Sequence, residues 1–432
     1  MHLSPEGPRH LIIVVRADPI ICGHSTEARN LAEAAMAAGF DDVHIVSYPI
    51  ELLQNSGLPL KPLNAIEPYS EGITVLRPDR VGGYKVLDGG QLHGMSGSIV
   101  DLLAQQHGTS YLMDLYLVPH GKVVLDAART ATHLPNRPDL ITIGEAVGSD
   151  ITDVVRQAIA DDALGAACTV LADYLDHDLP VAVSDYTRDL IVAAGSQVDD
   201  RLGTSFADQL DQRVTVSYPA IDAKLYLDCD KRSNDIATTC AKRGLKPGKF
   251  LLFLSRLAPA KGVDDLITAY RHSDAYGRMP LAICGNGPAE QELRRLAAEN
   301  PNIDFFTDVS DADKGLLMHA CAGYCLPSKP RKEFIETFGI AVAEKLLAGG
   351  LGPVITTTTG GLPEATGDHC LYHEAGDVRS LRDAIDLAIA MKPEERATLN
   401  AEGRHYAMQF DRHAVLSKLI ARQTASAAAL AV

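Results

Sequence analysis

Arg256 and Lys261 follow directly on an apolar run at 250–255, with Pro259 between them and Gly262 opening a helical stretch. Cations fixed at a strand end can hold a diphosphate and stabilise its charge as it leaves. Two solvated surface cations would look the same, so this spacing alone leaves both readings open. Further on, the stretch PSKPRKEFIETFGIAVAEKLLAGG at 327–350 sets Glu336 just ahead of a helix expected to begin near Thr337, with Glu344 eight residues beyond Glu336. Eight helical residues rise about 12 Å, which suits one carboxylate on a pyranose and another on a ribose with a diphosphate between them. Carboxylates accept paired hydrogen bonds from sugar hydroxyls. The amides of Thr337, Phe338 and Gly339 read as uncapped donors at the positive end of that helix, and Gly339 lets a ligand approach the backbone. A helix-start acid followed by a surface glutamate is the plainer alternative.

Weaker signals surround these four residues. Gly285, Asn286, Gly287 and Pro288 close the run at 281–284 ahead of a helix expected over 289–299. Glycines there admit a ligand to the backbone, and an ordinary strand-to-helix turn uses the same residues. Lys329, Arg331 and Lys332 make the loop before Glu336 cationic, either to touch an anionic group or to sit in solvent. In the first half, Cys22, Gly23 and His24 precede a helix expected over 25–38 with Ser25 as its N-cap.

The elements that must carry these residues are short apolar, β-branched runs alternating with amphipathic helical stretches. That alternation predicts an α/β chain whose parallel sheets are covered by helices on both faces. Strands are expected at 10–21, 43–48, 73–77, 111–118, 140–144, 181–184 and 214–218, then at 250–255, 281–284, 303–307, 324–326, 354–357 and 370–372. The Gly- and Pro-rich segment 51–94 fits neither helical nor strand period and reads as surface loops or short hairpins. The domain expectation is a Rossmann-like domain over 1–218, a polar linker over 219–249 containing Pro247 and Gly248, and a second Rossmann-like domain over 250–410. Residues 411–432 read as a helix fraying into alanines. In parallel sheets ligands bind beyond the C-terminal ends of the strands, which is where Arg256, Lys261, Gly285 and Glu336 fall.

Composition narrows the partners. Forty Lys plus Arg against 56 Asp plus Glu give a net charge of −16, which repels polyphosphate backbones and acidic lipid surfaces and excludes nucleic acid as a main partner. With 46% apolar and 22% charged residues the chain is globular in kind. Eight cysteines without a C-x-x-C pair indicate neither a zinc knuckle nor a disulfide framework, so no metal site is expected and a reducing, cytoplasmic setting is. The apolar run 11–15 ends far short of a membrane span, so neither membrane insertion nor an export signal is expected.

Taken together, Ser255-Arg256-Leu257 with Lys261-Gly262, Gly285-Asn286-Gly287-Pro288, Glu336-x7-Glu344 with Phe338-Gly339, Gly360-Gly361-Leu362-Pro363-Glu364 and Gly376-Asp377 have the order and spacing of a known family. The chain resembles the retaining GT-B glycosyltransferases of family four across 255–377. The first half resembles them more loosely, at Gly23, at Ser184 in AVSDYTRDLIVAAG and at VSYPAID over 216–222. The resemblance implies a GT-B architecture, two Rossmann-like domains facing across a cleft, with a UDP- or GDP-sugar as donor on the second. Arg256 and Lys261 would contact the diphosphate, and Glu336 with the amides of Phe338 and Gly339 the sugar, while Glu344 would hold the ribose. Gly285, Asn286, Gly287 and Thr337 would complete the donor side.

The resemblance also implies a small polar acceptor entering from the first domain near Gly23 and His24, and front-face transfer with retention. Neither a metal ion nor a cofactor beyond the nucleotide sugar is implied. A histidine that the family often carries at a first-domain strand end falls near Asp114, with His120 six residues later. Which of them faces the donor stays open. The last helix would cross back to the first domain and govern closure. The alanine-rich, low-lysine composition resembles actinobacterial chains, which brings antibiotic precursors and small thiols in as acceptors. A GT-B epimerase, a sugar phosphorylase and a non-catalytic nucleotide-sugar-binding protein are the alternatives.

Overall fold

The computed structural model describes residues 7–430 except 59, 83–88, 137 and 332–333, so Lys332 lies outside the described residues. The chain forms two compact units. One runs to Ala220 and takes in the segment from Arg412, and the other is Ile221–Asp411.

The first unit holds β1 (Arg9–Val14), β2 (Asp42–Val46), β3 (Ile73–Leu76), β4 (Thr109–Asp114), β5 (Asp139–Ala146), β6 (Leu179–Ala182) and β7 (Thr215–Val216), in the spatial order β3-β2-β1-β4-β5-β6-β7. Every pairing is parallel. β1 shows why its sequence is apolar throughout. Leu11 and Ile13 pack with Leu31, Ala35 and Leu416 in one core, while Ile12 and Val14 pack with Met95, Ile99 and Leu112 in another. Both faces are covered, so no polar alternation survives. The C-terminal helix Arg412–Leu430 belongs to this unit and sinks Val415, Leu416 and Leu419 into its core.

The second unit holds β8 (Leu251–Leu254), β9 (Leu281–Cys284), β10 (Ile303–Phe306), β11 (Gly323–Leu326), β12 (Val354–Thr357) and β13 (Leu371–His373), ordered β10-β9-β8-β11-β12-β13 and again wholly parallel. In each sheet the chain builds outward from a central strand and then resumes on that strand's other side. The reversal lies between β1 and β4 in the first sheet and between β8 and β11 in the second.

Several expectations are corrected. Residues 221–249 are not a linker but part of the second unit, with helices Lys224–Leu227 and Ser233–Ala241 and with Tyr226, Cys229, Ile236 and Cys240 buried. Those helices of four and nine residues are too short to display a period. The segment 51–94 contains most of the helix Ile50–Gln54 and the start of the helix Gly89–Leu103 rather than loops and hairpins alone. Its glycines mislead because one serves packing. A Cβ at Gly94 would stand 2.3 Å from the carbonyl oxygen of Asp79. β1 also ends at Val14 and β4 at Asp114, well before the expected 21 and 118.

Among its described residues the first unit buries five carboxyl groups, on Asp18, Glu27, Asp114, Glu145 and Asp150. Asp150 accepts backbone hydrogen bonds from Gly148 at 2.9 Å, Ile151 at 3.0 Å and Leu117 at 3.2 Å, yet burial still pushes it up to about 6. Glu145 is held well above the ordinary carboxyl range by burial and by the charges of Glu27, Asp114 and Asp150. Burial likewise raises Glu27 from 4.5 to about 7, against a hydrogen bond from the Ala220 amide at 3.1 Å. The folded state thus keeps a proton on Glu27 that the unfolded chain releases near 4.5, and the stability this supplies is lost as pH rises toward 7. Glu27→Gln should flatten the fall of melting temperature across that window, measured beside the parent chain in a pH series of thermal unfolding.

Candidate active site

The reversal between β8 and β11 brings the loops that leave Leu254 and Leu326 together at one point of the sheet edge. After β8 come Ser255, Arg256 and a single turn of 3-10 helix, Pro259–Lys261, which ends on Gly262 with φ +68°. A Cβ on Gly262 would lie 2.0 Å from the carbonyl oxygen of Pro327, so glycine is what lets the two loops touch. Lys261 then points at Glu336. Its Nζ donates to Glu336 Oε2, and Ser328 Oγ donates to the same oxygen at 3.5 Å. The two charged side chains are only 9% and 11% exposed. The Phe334 ring lies beside both cations, with its centroid 5.1 Å from Lys261 Nζ and 5.9 Å from the exposed Arg256 guanidinium.

The glycine motifs hold these loops in register. Gly361 N donates to the Glu336 carbonyl at 2.9 Å, and a Cβ on Gly360 would meet that carbonyl at 1.9 Å. Leu257 N donates to Asn286 O at 2.8 Å, while a Cβ at Gly285 would stand 2.0 Å from Ser255 O and one at Gly287 2.3 Å from Leu257 O. Gly285, Asn286 and Gly287 therefore brace the loop that carries Arg256. Asn286 spends its side-chain amide on Thr307 O at 3.4 Å.

Past Glu336 the structure departs from expectation. The helix begins at Ile340 with Gly339 as its N-cap at φ +96°, so Thr337 and Phe338 precede the helix and are not its first amides. Phe338 is turned into the core against Phe410, with ring centroids 5.0 Å apart. The step from Glu336 to Glu344 is accordingly half loop and half helix, and a helical rise over all of it does not apply. Glu344 is buried, accepting from Tyr226 Oη at 2.7 Å and from Lys314 Nζ at 2.5 Å. Lys329 is not a loose cation, since it binds Asp264 and Asp265 at 2.8 Å each. Asp377, in the Gly376-Asp377 pair, caps the helix Val378–Ala390 by accepting from the amides of Arg379 and Ser380, and those bonds lower its carboxyl.

Sequence reasoning missed Tyr226, Lys314, Ser328 and Phe334. Ser328 and Phe334 lie inside the stretch that drew attention, but the nearness of Phe334 to Arg256 and Lys261 is tertiary and left no mark in the residue order. Tyr226 and Lys314 carried none.

The first unit gathers a second set at the reversal between β1 and β4. Gly23 opens the helix Gly23–Ala37, whose N-cap is Cys22, with Sγ accepting from Ser25 N at 3.4 Å; Ser25 is not the cap. The Tyr116 ring collects Arg16 at 5.5 Å, His24 at 5.8 Å and His120 at 6.4 Å. Asp114 and His120 part company here. Asp114 is fully buried and ion-paired with His177 Nε2 at 3.0 Å. His120 is also buried, but neither ring nitrogen has a hydrogen-bond partner among the described residues. Burial, helped by Arg16 and His24, lowers it to about 3 and keeps it neutral.

Ligands in open parallel sheets bind at such a reversal, and this one carries two cations and a carboxylate at its edge. Residues 238–406 match the family described as Glycosyl transferases group 1. The match includes Arg256, Lys261, Glu336 and Glu344. Across 96% of this chain and 99% of the other, the structure superposes on Anabaena Alr3699/HepE in complex with UDP and glucose, with a TM-score of 0.65 at 17% identity. It covers sucrose-phosphate synthase from Thermosynechococcus elongatus similarly, 98% of this chain and 100% of that one, with a TM-score of 0.64 at 17% identity.

The fold is that of the GT-B glycosyltransferases. Among curated proteins, the chain is 34% identical over 157 residues to a GDP-mannose-dependent monoacylated alpha-(1-6)-phosphatidylinositol monomannoside mannosyltransferase of Corynebacterium glutamicum, which is 35% of this chain and 40% of that protein. It is 30% identical over 174 residues to a GDP-mannose-dependent alpha-(1-6)-phosphatidylinositol monomannoside mannosyltransferase of Mycolicibacterium smegmatis, 38% of this chain and 44% of that protein. The chain thus spans less than half the length of these two relatives. No helix among the described residues is long and apolar enough to cross a membrane.

The buried ion pair sets a stability prediction. Lys261→Met strips Glu336 of its counter-charge and should cost about 3 kcal/mol, whereas Lys261→Met combined with Glu336→Leu should recover most of that loss. Denaturant unfolding of the three chains side by side measures both.

Proposed function

We propose that this chain is a nucleotide-sugar-dependent glycosyltransferase that moves a hexosyl group, with retention of configuration, to a small polar acceptor. The observation that carries the reading is the contact of Lys261 with Glu336 at the β8/β11 reversal, with Arg256 beside the same aromatic ring. GDP-mannose is the first donor to test, because two of the curated relatives are named as GDP-mannose-dependent.

Arg256 and Lys261 would take the diphosphate, releasing Glu336 to accept hydrogen bonds from the sugar hydroxyls. The bond from the anomeric carbon to the phosphate oxygen breaks, and the acceptor oxygen bonds to that carbon on the same face. The acceptor proton passes to the departing phosphate oxygen, which balances the step. In this reading the two cations supply the leaving-group stabilisation and no metal ion or further cofactor is required. Gly285, Asn286, Gly287, Thr337, Phe338 and Gly339 would shape the donor side. Gly23, His24 and His120 would serve the acceptor side, with Asp114 buried behind them as a partner of His177.

Arg256→Ala and Glu336→Gln should each lower turnover about a hundredfold or more. Arg256→Ala should leave the melting temperature unchanged, because that side chain is exposed. The assay follows nucleoside diphosphate release from GDP-mannose and UDP-glucose against a panel of polyols, sugar phosphates, small thiols and antibiotic precursors. Release that depends on acceptor supports transfer. A requirement for inorganic phosphate points to a phosphorylase, an altered sugar without acceptor to an epimerase, and donor binding without any turnover to a binding protein.

A further inference from the structure

Glu344 carries a feature that neither the spacing nor the family match explains. Both of its protein donors end on one oxygen. Tyr226 Oη and Lys314 Nζ converge on Oε1, at 2.7 Å and 2.5 Å, while Oε2 accepts no hydrogen bond among the described residues. The three side chains come from separate elements, the helices Lys224–Leu227, Asp311–Ala320 and Ile340–Ala348. Tyr226 and Glu344 are 3% and 5% exposed, and the Lys314 ammonium also lies 5.7 Å from the centre of the Tyr226 ring. The lysine is thereby held by ring and carboxylate together.

A carboxylate offers about four lone-pair sites. One kept only to satisfy a buried tyrosine and a lysine can spread the two donors over both oxygens. Convergence on Oε1 does something else: it stops rotation of the carboxylate and presents Oε2 in one direction with its acceptor capacity unspent. We propose that Tyr226 and Lys314 are positioning residues that aim Glu344 Oε2 to accept a hydrogen bond from a ribose hydroxyl of the bound nucleoside diphosphate. The inference rests on the donor-site reading and extends it by making ribose recognition depend on two residues that need not touch the ligand.

The test compares calorimetric affinities of GDP and UDP with those of their deoxyribose counterparts, for the full chain and for Lys314→Met, Tyr226→Phe and Lys314→Arg. The parent should prefer the ribose form about tenfold, the worth of one hydrogen bond to a charged group. Lys314→Met and Tyr226→Phe should each bring that preference close to unity while the diphosphate still binds, and Lys314→Arg should restore it. Loss of stability alone would weaken both forms equally and leave the ratio intact. Retention of the parental ratio in both folded variants overturns the proposal, as does a parent that binds diphosphates without preferring ribose. A parent that binds neither GDP nor UDP instead overturns the donor site itself, so the two failures are distinct.

Discussion

Burying an ammonium and a carboxylate is tolerable only when each replaces the water the other has lost. Lys261 and Glu336 are 75 residues apart in sequence, so their pairing obliges the loops beyond β8 and β11 to meet and to stay met. Much of the surrounding sequence answers to that demand. Gly262 removes the Cβ that would collide with Pro327, while Gly360 and Gly361 do the same against the carbonyls of Glu336 and Thr337. Gly285 and Gly287 press the next loop onto the one that bears Arg256. Backbone packed this closely has little room to shift, which is the preorganisation a charged ligand requires.

The first unit repeats the topology with different chemistry. Its reversal between β1 and β4 gathers Arg16, His24, Tyr116 and His120. Nearby, Asp114 and Asp150 stand among five carboxyls buried among the described residues of that unit, with Asp150 raised to about 6 and Glu27 to about 7. In the second unit Lys261 and Lys314 each meet a carboxylate, whereas in the first Asp18 and Asp114 are paired with Arg29 and His177 while burial favours the protonated form of Glu27, Glu145 and Asp150 and the neutral form of His120.

What could be read from residue order follows from this physics. The strands were legible because a parallel strand covered on both faces is an unbroken apolar run, as β8 and β9 are. The placing of Arg256, Lys261 and Glu336 in the loops beyond strand ends was legible from their order, whereas Glu344 lies within the helix Ile340–Ala348 with partners of its own. The helix Gly89–Leu103 was not, since its glycines signal a turn to the reader but serve close contact with the Asp79 backbone. The helix start at Ile340 was hidden by the inward turn of Phe338, a tertiary effect. Tyr226 and Lys314 were invisible, because their partner is fixed by three-dimensional packing and neither sits in a motif.

The return of the final helix to the first unit carries a consequence for how the molecule comes into being. The second unit is one uninterrupted stretch, whereas the first needs Val415, Leu416 and Leu419 to close a core whose opposite wall is Leu11 and Ile13. On the ribosome the segment up to Ala220 emerges before the second unit yet cannot seal its interior until the helix beyond Asp411 has followed that unit out. Of the two units, the one whose synthesis starts first is therefore the one that closes second, and it waits with an oily seam open while its younger neighbour folds.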